Sequence, residues 1–314
     1  MNANTTKKLD TKVLLSTLLM KAIVFNQYGT PDVLKLANVP APTSKDDQVL
    51  IRVFAASVNS ADYRLLSGPI PRLMGFGLLR PKDKIMGADI AGRIEAVGEN
   101  VTRFKPGDEV FGDISTGFGG FAEYVCTRES VLVEKPANLT FEQAAAVPMA
   151  AVTALQGLRK GGVQPGNRVA IVGASGGVGT FMVQIAKSFG AEVTGVCSTA
   201  NLSLVESLGA DHVIDYTRED YSARGPMYEA ILDAVGKSQR SQYTRALTPN
   251  GTFATVAKLA TKQSLEELTF VKELIEAGKL RAVLDRCYPL VGVVEAHRYV
   301  DMGHKAGNVV IAVR

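Results

Sequence analysis

Cysteine is scarce in this chain, with only Cys126, Cys197 and Cys287 among 314 residues. The three positions are far apart and odd in number, so they do not form the cysteine framework of a small disulfide-linked domain. This usage fits a reducing compartment, and we expect a cytoplasmic protein.

Long blocks of one kind of residue are also absent. The 35 Lys and Arg residues and 31 Asp and Glu residues give a net charge of +4, without a basic run that would predict a nucleic-acid partner. No apolar stretch approaches the roughly 20 residues of a membrane span. The basic and apolar start lacks an Ala-x-Ala cleavage site, so a flexible extension over residues 1–19 is favoured over a signal peptide.

The length predicts about two domains at roughly 150 residues each. Residues 20–145 are expected to form a β-rich domain, a small barrel or sandwich, because short strand patterns alternate with Gly and Pro turns. The Pro- and Gly-rich segment Ser67–Lys84 is expected to be a loop that lines a binding site. Strands are predicted over Gln48–Val58, Asp89–Gly98, Asp108–Ile114 and Phe121–Thr127.

Residues 146–280 show a different pattern, in which strands and helices alternate. This pattern is typical of βαβ units around a parallel sheet. Predicted helices include Val178–Phe189 and Ser238–Leu247. Residues 281–314 follow as a C-terminal segment that contains a last predicted strand, "NVVIAVR".

The stretch "VAIVGASGGVGTFMVQIAK" places a glycine cluster between a predicted strand and a predicted helix. Gly176 and Gly177 allow a ligand to approach the backbone, and the helix start favours a pyrophosphate. The alternative is a tight turn needed only for packing. The strand–loop–helix context favours dinucleotide binding. One helical face, predicted to pack on the sheet, carries Val178, Met182, Ile185, Ala186 and Phe189.

The end of the next predicted strand indicates which dinucleotide is preferred. NAD sites usually carry an acidic residue there that binds the ribose hydroxyls. Here the strand ends with the neutral residues Ser198, Thr199 and Asn201, which tolerate a 2′-phosphate. We therefore expect NADP(H), with a modest preference because no Arg or Lys stands at the strand end.

Several segments resemble, in the same order, the medium-chain dehydrogenase/reductase superfamily. They are "SVNSADYRLLSG", "GADIAGRIEAVGENVTRFKPGDEVFG", "GASGGVGTFMVQIAK", "LGADHVIDY" and "HKAGNVVI". The branch most similar is that of the zinc-free quinone oxidoreductases, which includes chloroplast-envelope and reticulon-interacting reductases. The resemblance implies an α/β protein: a Rossmann doubly wound parallel sheet beside a GroES-like β-barrel domain completed by residues 281–314.

Zinc alcohol dehydrogenases of this superfamily carry a Cys and a Gly-His-Glu motif at their metal. This chain has Asn59 and Gly87-Ala88-Asp89 at those positions, and these groups do not form the usual zinc site. His212, His297 and His304 lie in other segments, where we expect surface or helix-end residues rather than ligands. The resemblance therefore implies a metal-free enzyme.

The resemblance also implies roles for individual residues. Tyr63 would donate a hydrogen bond or proton to the acceptor oxygen, and Asn59 would orient the acceptor or the nicotinamide. An alternative is that Asn59 and Asp62 only hold a turn after the strand. Cofactor contacts are implied for Thr153, Ser175, Gly176, Gly177, Val178, Ser198, Tyr216, Val235 and Gly236.

Two departures from the family pattern matter. Relatives often show His-Ala-Arg-Gly-Lys where this chain has His304-Lys305-Ala306-Gly307-Asn308, which predicts weaker phosphate binding. The segment after "GTFATVAKLATKQ" is also shorter than in relatives, where it often builds a dimer edge. A homodimer is therefore left open.

The leading hypothesis is a zinc-independent oxidoreductase that transfers hydride from NADPH to small-molecule quinones or α,β-unsaturated carbonyls. An alcohol or aldehyde dehydrogenase of the same superfamily is the first alternative. A non-catalytic NADP(H)-binding redox sensor or scaffold is the second, because a glycine loop alone does not establish catalysis.

Overall fold

A computed structural model describes residues 18–67, 81, 85–220, 227–259 and 264–314. Most of the expected extension over residues 1–19 and most of the expected binding loop over residues 67–84 lie outside this part. The chain divides into two compact units. Unit 1 comprises Met1–Pro148, Arg286–Gly303 and Val309–Arg314, and unit 2 comprises Met149–Asp285 and His304–Asn308.

Unit 1 is built mainly from antiparallel strands. A two-stranded sheet pairs β1 (Leu19–Val24) with β2 (Lys35–Pro40). A larger sheet contains β3 (Gln48–Val58), β4 (Asp89–Val97), β5 (Glu109–Asp113), β6 (Tyr124–Arg128), β7 (Leu132–Glu134), β13 (Leu284–Pro289) and β14 (Asn308–Ala312). The four strands predicted from sequence in this region are confirmed, with bounds that differ by three residues or fewer.

The order of the larger sheet is β13-β14-β3-β4-β5-β7, and β6 also pairs with β3. The central position of β3 explains its long apolar sequence, because strands flank it and most of its residues are buried. In the described part of the chain, backbone hydrogen bonds do not join β13 to β7. The strands of the predicted barrel therefore form a sheet that is not closed by hydrogen bonds between its two edge strands.

The helices of unit 1 are α1 (Ser60–Ser67), α2 (Phe141–Ala145) and α7 (Val293–Asp301). Thr140 begins α2 with a capping box, in which its side chain accepts from the Gln143 backbone while the Gln143 side chain accepts from the Thr140 backbone. His297 lies on the inner face of α7, fully buried, with its ring edge-on to Phe121 at 5.7 Å. The prediction of a surface or helix-end residue is wrong for His297, because the periodicity of α7 turns this side chain into the core.

Unit 2 contains a five-stranded parallel sheet in the order β10-β9-β8-β11-β12. Its strands are β8 (Arg168–Val172), β9 (Glu192–Cys197), β10 (His212–Asp215), β11 (Tyr228–Asp233) and β12 (Leu247–Thr255). Its helices are α3 (Pro148–Lys160), α4 (Gly177–Ser188), α5 (Leu202–Ser207) and α6 (Leu265–Glu276). This alternation confirms the predicted α/β class with a doubly wound parallel sheet.

Two helix predictions in unit 2 need correction. Helix α4 is buried on several sides, since Phe181, Val183 and Gln184 are buried together with Met182, Ile185 and Ala186 of the predicted face. Val178 and Phe189, at the two ends of that face, are only partly buried. Residues 238–247 form only a short 3₁₀ turn at Arg240–Gln242, closed by reciprocal hydrogen bonds between Gln239 and Gln242. In the described ranges, no helix has the length and apolar character needed to traverse a bilayer.

Candidate dinucleotide site and polar cluster

The glycine loop lies at the carboxyl end of β8. This strand stands between β9 and β11, where the direction of chain progression through the sheet reverses. Ligands of open α/β sheets bind at such a switch point. Helix α4 begins directly after the loop, and its N-cap residue, Gly176, contributes no side-chain hydrogen bond to the first turn. The side chain of the N-cap residue therefore does not block the first turn of α4, and helix starts of this kind bind anionic ligands.

The four glycines of this loop have different local requirements. Gly173 has φ +77°, and a Cβ on Gly179 would lie 2.0 Å from the Gly173 carbonyl oxygen, so both positions need glycine for the turn itself. A Cβ on Gly176 would meet only the Gly173 oxygen, at 3.4 Å. Packing therefore does not account for glycine at Gly176, whereas close approach of a ligand does. This open backbone fits a dinucleotide pyrophosphate.

The polar residues at the ends of β8 and β9 are joined by one amide. Asn201 Nδ2 donates to Ser175 Oγ at 3.1 Å and to Ser198 Oγ at 3.3 Å. Two predicted cofactor residues, Ser175 and Ser198, therefore lie together, and Asn201 connects them. Neither this pair nor Asn201 brings a charge to the edge of the sheet.

An acidic residue stands one strand further along. Asp215 ends β10 directly beside Cys197 in the parallel register. Hydrogen bonds from the Thr199 and Thr217 hydroxyls lower the pKa of Asp215, and Arg218 Nε lies 3.5 Å from its carboxylate. These contacts stabilise its carboxylate. Tyr216, a predicted cofactor residue, follows with its side chain exposed and its backbone N–H bonded to the Cys197 carbonyl at 3.1 Å.

The loop after β11 is shaped by a carboxylate that the sequence analysis missed. The Asp233 side chain is buried and accepts from the backbone N–H groups of Val235 (2.9 Å), Gly236 (3.1 Å) and Ser238 (3.0 Å). A Cβ on Gly173 would lie 2.6 Å from Val235 Cγ2, so this loop abuts the glycine loop. The only available signal was an acid at the end of an apolar strand, before Ala-Val-Gly.

Val178 and Thr153 complete the predicted cofactor set. Val178 is partly buried in the first turn of α4, and Thr153 is buried on α3. The structure thus gathers Ser175, Gly176, Gly177, Val178, Ser198, Tyr216, Val235 and Gly236 around the carboxyl ends of β8, β9, β10 and β11.

Unit 1 holds a separate polar cluster, defined here as Ser57, Asn59, Asp62, Asp89 and Asp113. The Asn59 amide donates to Ser57 Oγ at 2.9 Å and to Asp89 Oδ2 at 3.0 Å, and Ser57 Oγ also donates to Asp89 at 3.1 Å. Zinc sites in proteins are built mainly from thiolates and imidazoles. Asn59 and Asp89 do not supply that donor set, and the described residues contain no group of three or more His, Cys, Asp or Glu arranged to hold a metal.

Asp62 is the most perturbed member of the polar cluster. It is fully buried, its Oδ2 accepts from the Asn59 N–H at 2.8 Å, and its Oδ1 has no hydrogen-bond partner among the described residues. Burial, with a smaller contribution from the nearby Asp113 charge, raises the pKa of Asp62 to about 7. Asp62 therefore holds the start of α1, as the alternative interpretation of the turn requires.

Substitution of Asp62 should change how stability depends on pH. The pKa of Asp62 is about 7 in the folded protein, above its ordinary value of 3.8. Between these two pH values the folded protein therefore keeps a proton on Asp62 that the unfolded chain has released. Stability from this group is complete at low pH and falls as pH rises toward 7, by at most about 1.4 kcal/mol per pH unit. We expect Asp62→Asn, which keeps the acceptor for Asn59, to gain stability relative to wild type between pH 5 and 7.

Urea unfolding of both proteins at several pH values measures this difference. Asp301→Asn, which changes an exposed carboxylate of the same unit, is the control. Parallel stability curves for wild type and Asp62→Asn would show that Asp62 is ionised in the folded protein throughout this range.

The catalytic residues predicted from sequence are only partly described. Asn59 lies at the end of β3 within the polar cluster. Tyr63 lies in α1, but its side chain is outside the described part of the structure. Unit 1 also contains a small, open apolar cleft lined by Phe25, Tyr28, Leu65, Pro81, Ile85, Met86 and Phe118. Phe118 adopts φ +51°, a conformation that a bulky residue rarely takes.

Sequence comparison agrees with this two-part architecture. Residues 45–137 match the family described as "Alcohol dehydrogenase GroES-like domain", and residues 177–280 and 257–311 match families described as "Zinc-binding dehydrogenase". The chain is 36% identical to a 2-methylene-furan-3-one reductase of Solanum lycopersicum and 35% identical to an NADPH-dependent alkenal/one oxidoreductase of Arabidopsis thaliana. Each alignment covers 93% of this chain and 79% of the relative.

A chloroplast envelope quinone oxidoreductase homolog of Arabidopsis thaliana is 32% identical over 93% of this chain and 98% of its own length. Among solved structures, the quinone oxidoreductase from Coxiella burnetii is similar with a TM-score of 0.86 and 33% identity, covering 95% of this chain and 100% of that chain. Fold and site define a two-unit oxidoreductase. The chain belongs to the medium-chain dehydrogenase/reductase superfamily, as its sequence motifs predict.

Proposed function

We propose that this protein is a zinc-independent NADPH-dependent reductase of α,β-unsaturated carbonyl compounds and quinones. The observation that carries the proposal is the dinucleotide cradle of unit 2: the open Gly176 backbone at the start of α4, with the neutral Ser175–Asn201–Ser198 contact beside it. The names of the similar proteins, which include alkenal/one and quinone oxidoreductases, support the substrate class.

Different residues of unit 2 would bind different parts of the cofactor. The first N–H groups of α4 would bind the pyrophosphate, and Ser198 with Asn201 would bind the adenosine ribose and its 2′-phosphate. Val235 and Gly236, fixed by Asp233, would lie along the nicotinamide ribose. When bound, the reduced nicotinamide supplies a hydride.

Unit 1 would provide the acceptor side. The cleft lined by Phe25 and Phe118 suits the apolar body of an enone or quinone. We assign Tyr63 as the donor to the acceptor oxygen and Asn59 as an orienting amide. Such acceptors place the incoming electron pair on oxygen, so a hydrogen-bond donor suffices where a metal-free site lacks a Lewis acid. The function is proposed as zinc-independent because Asn59 and Asp89 of the polar cluster do not supply the thiolate and imidazole ligands of a zinc site.

The function is tested by following NADPH oxidation against a panel of enones, enals, quinones and saturated aldehydes. We expect turnover with conjugated carbonyls and quinones and little with saturated aldehydes. NADPH binding without oxidation of any acceptor would favour the redox-sensor alternative. Metal-dependent alcohol oxidation would favour the dehydrogenase alternative. The cytoplasmic compartment stays a prediction, since similar proteins carry chloroplastic and mitochondrial names. A homodimer stays open.

Cofactor choice gives a second prediction. A carboxylate introduced by Ser198→Asp would repel the 2′-phosphate and accept hydrogen bonds from ribose hydroxyls. We expect wild type to prefer NADPH and the variant to prefer NADH, with the NADPH-to-NADH affinity ratio falling at least tenfold, or about 1.4 kcal/mol. Titration calorimetry with both cofactors measures the ratio, and Ser203→Asp, at an exposed position on α5, is the control. A wild-type preference for NADH would contradict our interpretation of the end of β9.

A further inference from the structure

The segment His304–Asn308 contacts the glycine loop directly. The Gly307 N–H donates to the Ser175 carbonyl at 2.8 Å, and Gly176 and Gly307 form an isolated parallel bridge. Asn308 is fixed in turn by its backbone N–H, which donates to the Val283 carbonyl at 2.8 Å. This short segment is thus held against the loop that begins α4.

Lys305 is brought to the loop by this segment. A Cβ on Gly177 would lie 2.6 Å from Lys305 Nζ, so the ammonium stands against the first residue of α4. The Gly307 carbonyl accepts from Nζ at 2.9 Å, which uses one of the three N–H donors of the ammonium. The family pattern predicts weaker phosphate binding for "HKAGN", but the pattern does not show that Lys305 lies beside the start of α4.

Two positive features therefore face the same point. The start of α4 presents the positive end of the helix dipole, and the ammonium of the partly buried Lys305 lies beside it. The loop residues Gly173–Gly177 carry no ionisable side chain. The charged group that acts on Lys305 is Asp285 of β13, whose Oδ2 accepts from the Ala306 N–H at 2.9 Å. Desolvation lowers the pKa of Lys305 to about 8, an effect that Asp285 only partly opposes.

We propose that Lys305 binds the pyrophosphate of the dinucleotide at the start of α4, as the cation of this cofactor site. This inference rests on the proposed function, because it assumes that a dinucleotide occupies the glycine loop. The pyrophosphate is chosen over the 2′-phosphate because Nζ stands at Gly177, whereas the 2′-phosphate is assigned to Ser198 at the end of β9. The ammonium contributes charge neutralisation that the backbone N–H groups alone lack.

Binding of the pyrophosphate should change the protonation of Lys305. Near pH 8 the free protein holds Lys305 only partly protonated, and a bound pyrophosphate favours the charged form. Binding should therefore take up a proton, and affinity should fall as pH rises from 8 to 9.5. In Lys305→Met this pH dependence disappears. In Lys305→Arg, which stays charged across this range, it also disappears while part of the affinity remains.

The experiment compares wild type, Lys305→Met and Lys305→Arg by calorimetry, with NADPH, NADH and ADP-ribose as probes. Proton uptake is read from titrations in two buffers of different ionisation enthalpy. We expect Lys305→Met to weaken all three probes by about 10- to 100-fold without changing the NADPH-to-NADH ratio. Lys279→Met, which changes an exposed lysine of the same unit, is the control and should bind as wild type does.

A purely structural role makes a different prediction. It would lower the melting temperature of ligand-free Lys305→Met, whereas loss of a desolvated ammonium should leave it unchanged or raise it. Unaltered affinity of Lys305→Met for all three probes would overturn the proposal while leaving the proposed function intact. Loss of only the NADPH preference would overturn it in favour of the 2′-phosphate. Failure of wild type to bind any probe would instead overturn the proposed function.

Discussion

Gly177→Asp should abolish tight binding of NADPH, with a loss of at least 100-fold in affinity, or about 2.8 kcal/mol. Gly177 is the first residue of α4, and a Cβ there would lie 2.6 Å from both Asn308 Oδ1 and Lys305 Nζ. The new side chain would displace the ends of the Asn308 and Lys305 side chains beside the proposed pyrophosphate position. Its carboxylate would also repel the phosphates and pair with the lysine ammonium.

Titration calorimetry with NADPH measures this loss. Gly117→Asp is a matched control, because a Cβ on Gly117 meets no atom within 4 Å and its position is in unit 1. Circular dichroism and melting curves establish that both variants fold. Unchanged NADPH affinity in a folded Gly177→Asp protein would remove the glycine loop from the cofactor site.

Tyr63→Phe should separate the two classes of acceptor. The substitution keeps the ring and removes only the hydroxyl assigned as donor to the acceptor oxygen. Loss of one such donor can cost roughly 100-fold in rate, which we take as an upper limit. Quinones accept hydride readily without help, so we expect enone turnover to fall markedly, quinone turnover to fall little, and NADPH affinity to be preserved.

Steady-state rates with one enone and one quinone give this comparison. Tyr124→Phe, which removes a hydroxyl from β6 of the same unit, is the control. The neighbouring Asp62 anchors the start of α1, so the backbone at position 63 should keep its place in the variant. Full activity of Tyr63→Phe on both acceptors would leave Tyr63 at most a wall of the substrate site.

The features predicted correctly from sequence are those encoded by neighbouring residues. The glycine loop is recognisable because its strand, turn and helix follow one another within a short stretch, and Ser198 is recognisable as the end of β9. The alternation of strands and helices likewise identifies the parallel sheet. In each case the residues that form the feature are close in sequence, so periodicity and turn chemistry are sufficient.

The features that were missed depend on contacts between distant segments. His297 has the same helical periodicity whether its face meets solvent or Phe121, and only the packing of α7 decides between them. Asp233 fixes a loop through backbone N–H groups, which carry no sequence signature. In the sequence, Lys305 is only a deviation from the family pattern. Its position at the start of α4 depends on the Gly307–Ser175 hydrogen bond, which joins two segments that are distant in sequence.

The contribution of residues 304–308 to unit 2 has a consequence for biosynthesis. The residues on either side of this segment, Gly303 and Val309, belong to unit 1, and Gly176 pairs with Gly307, which lies more than a hundred residues further along the chain. On a translating ribosome the parallel sheet can emerge and form long before this segment exists. The nascent protein should therefore not retain its dinucleotide firmly until residues 304–308 have left the exit tunnel. Cofactor capture should thus wait for a segment that is synthesised well after the glycine loop.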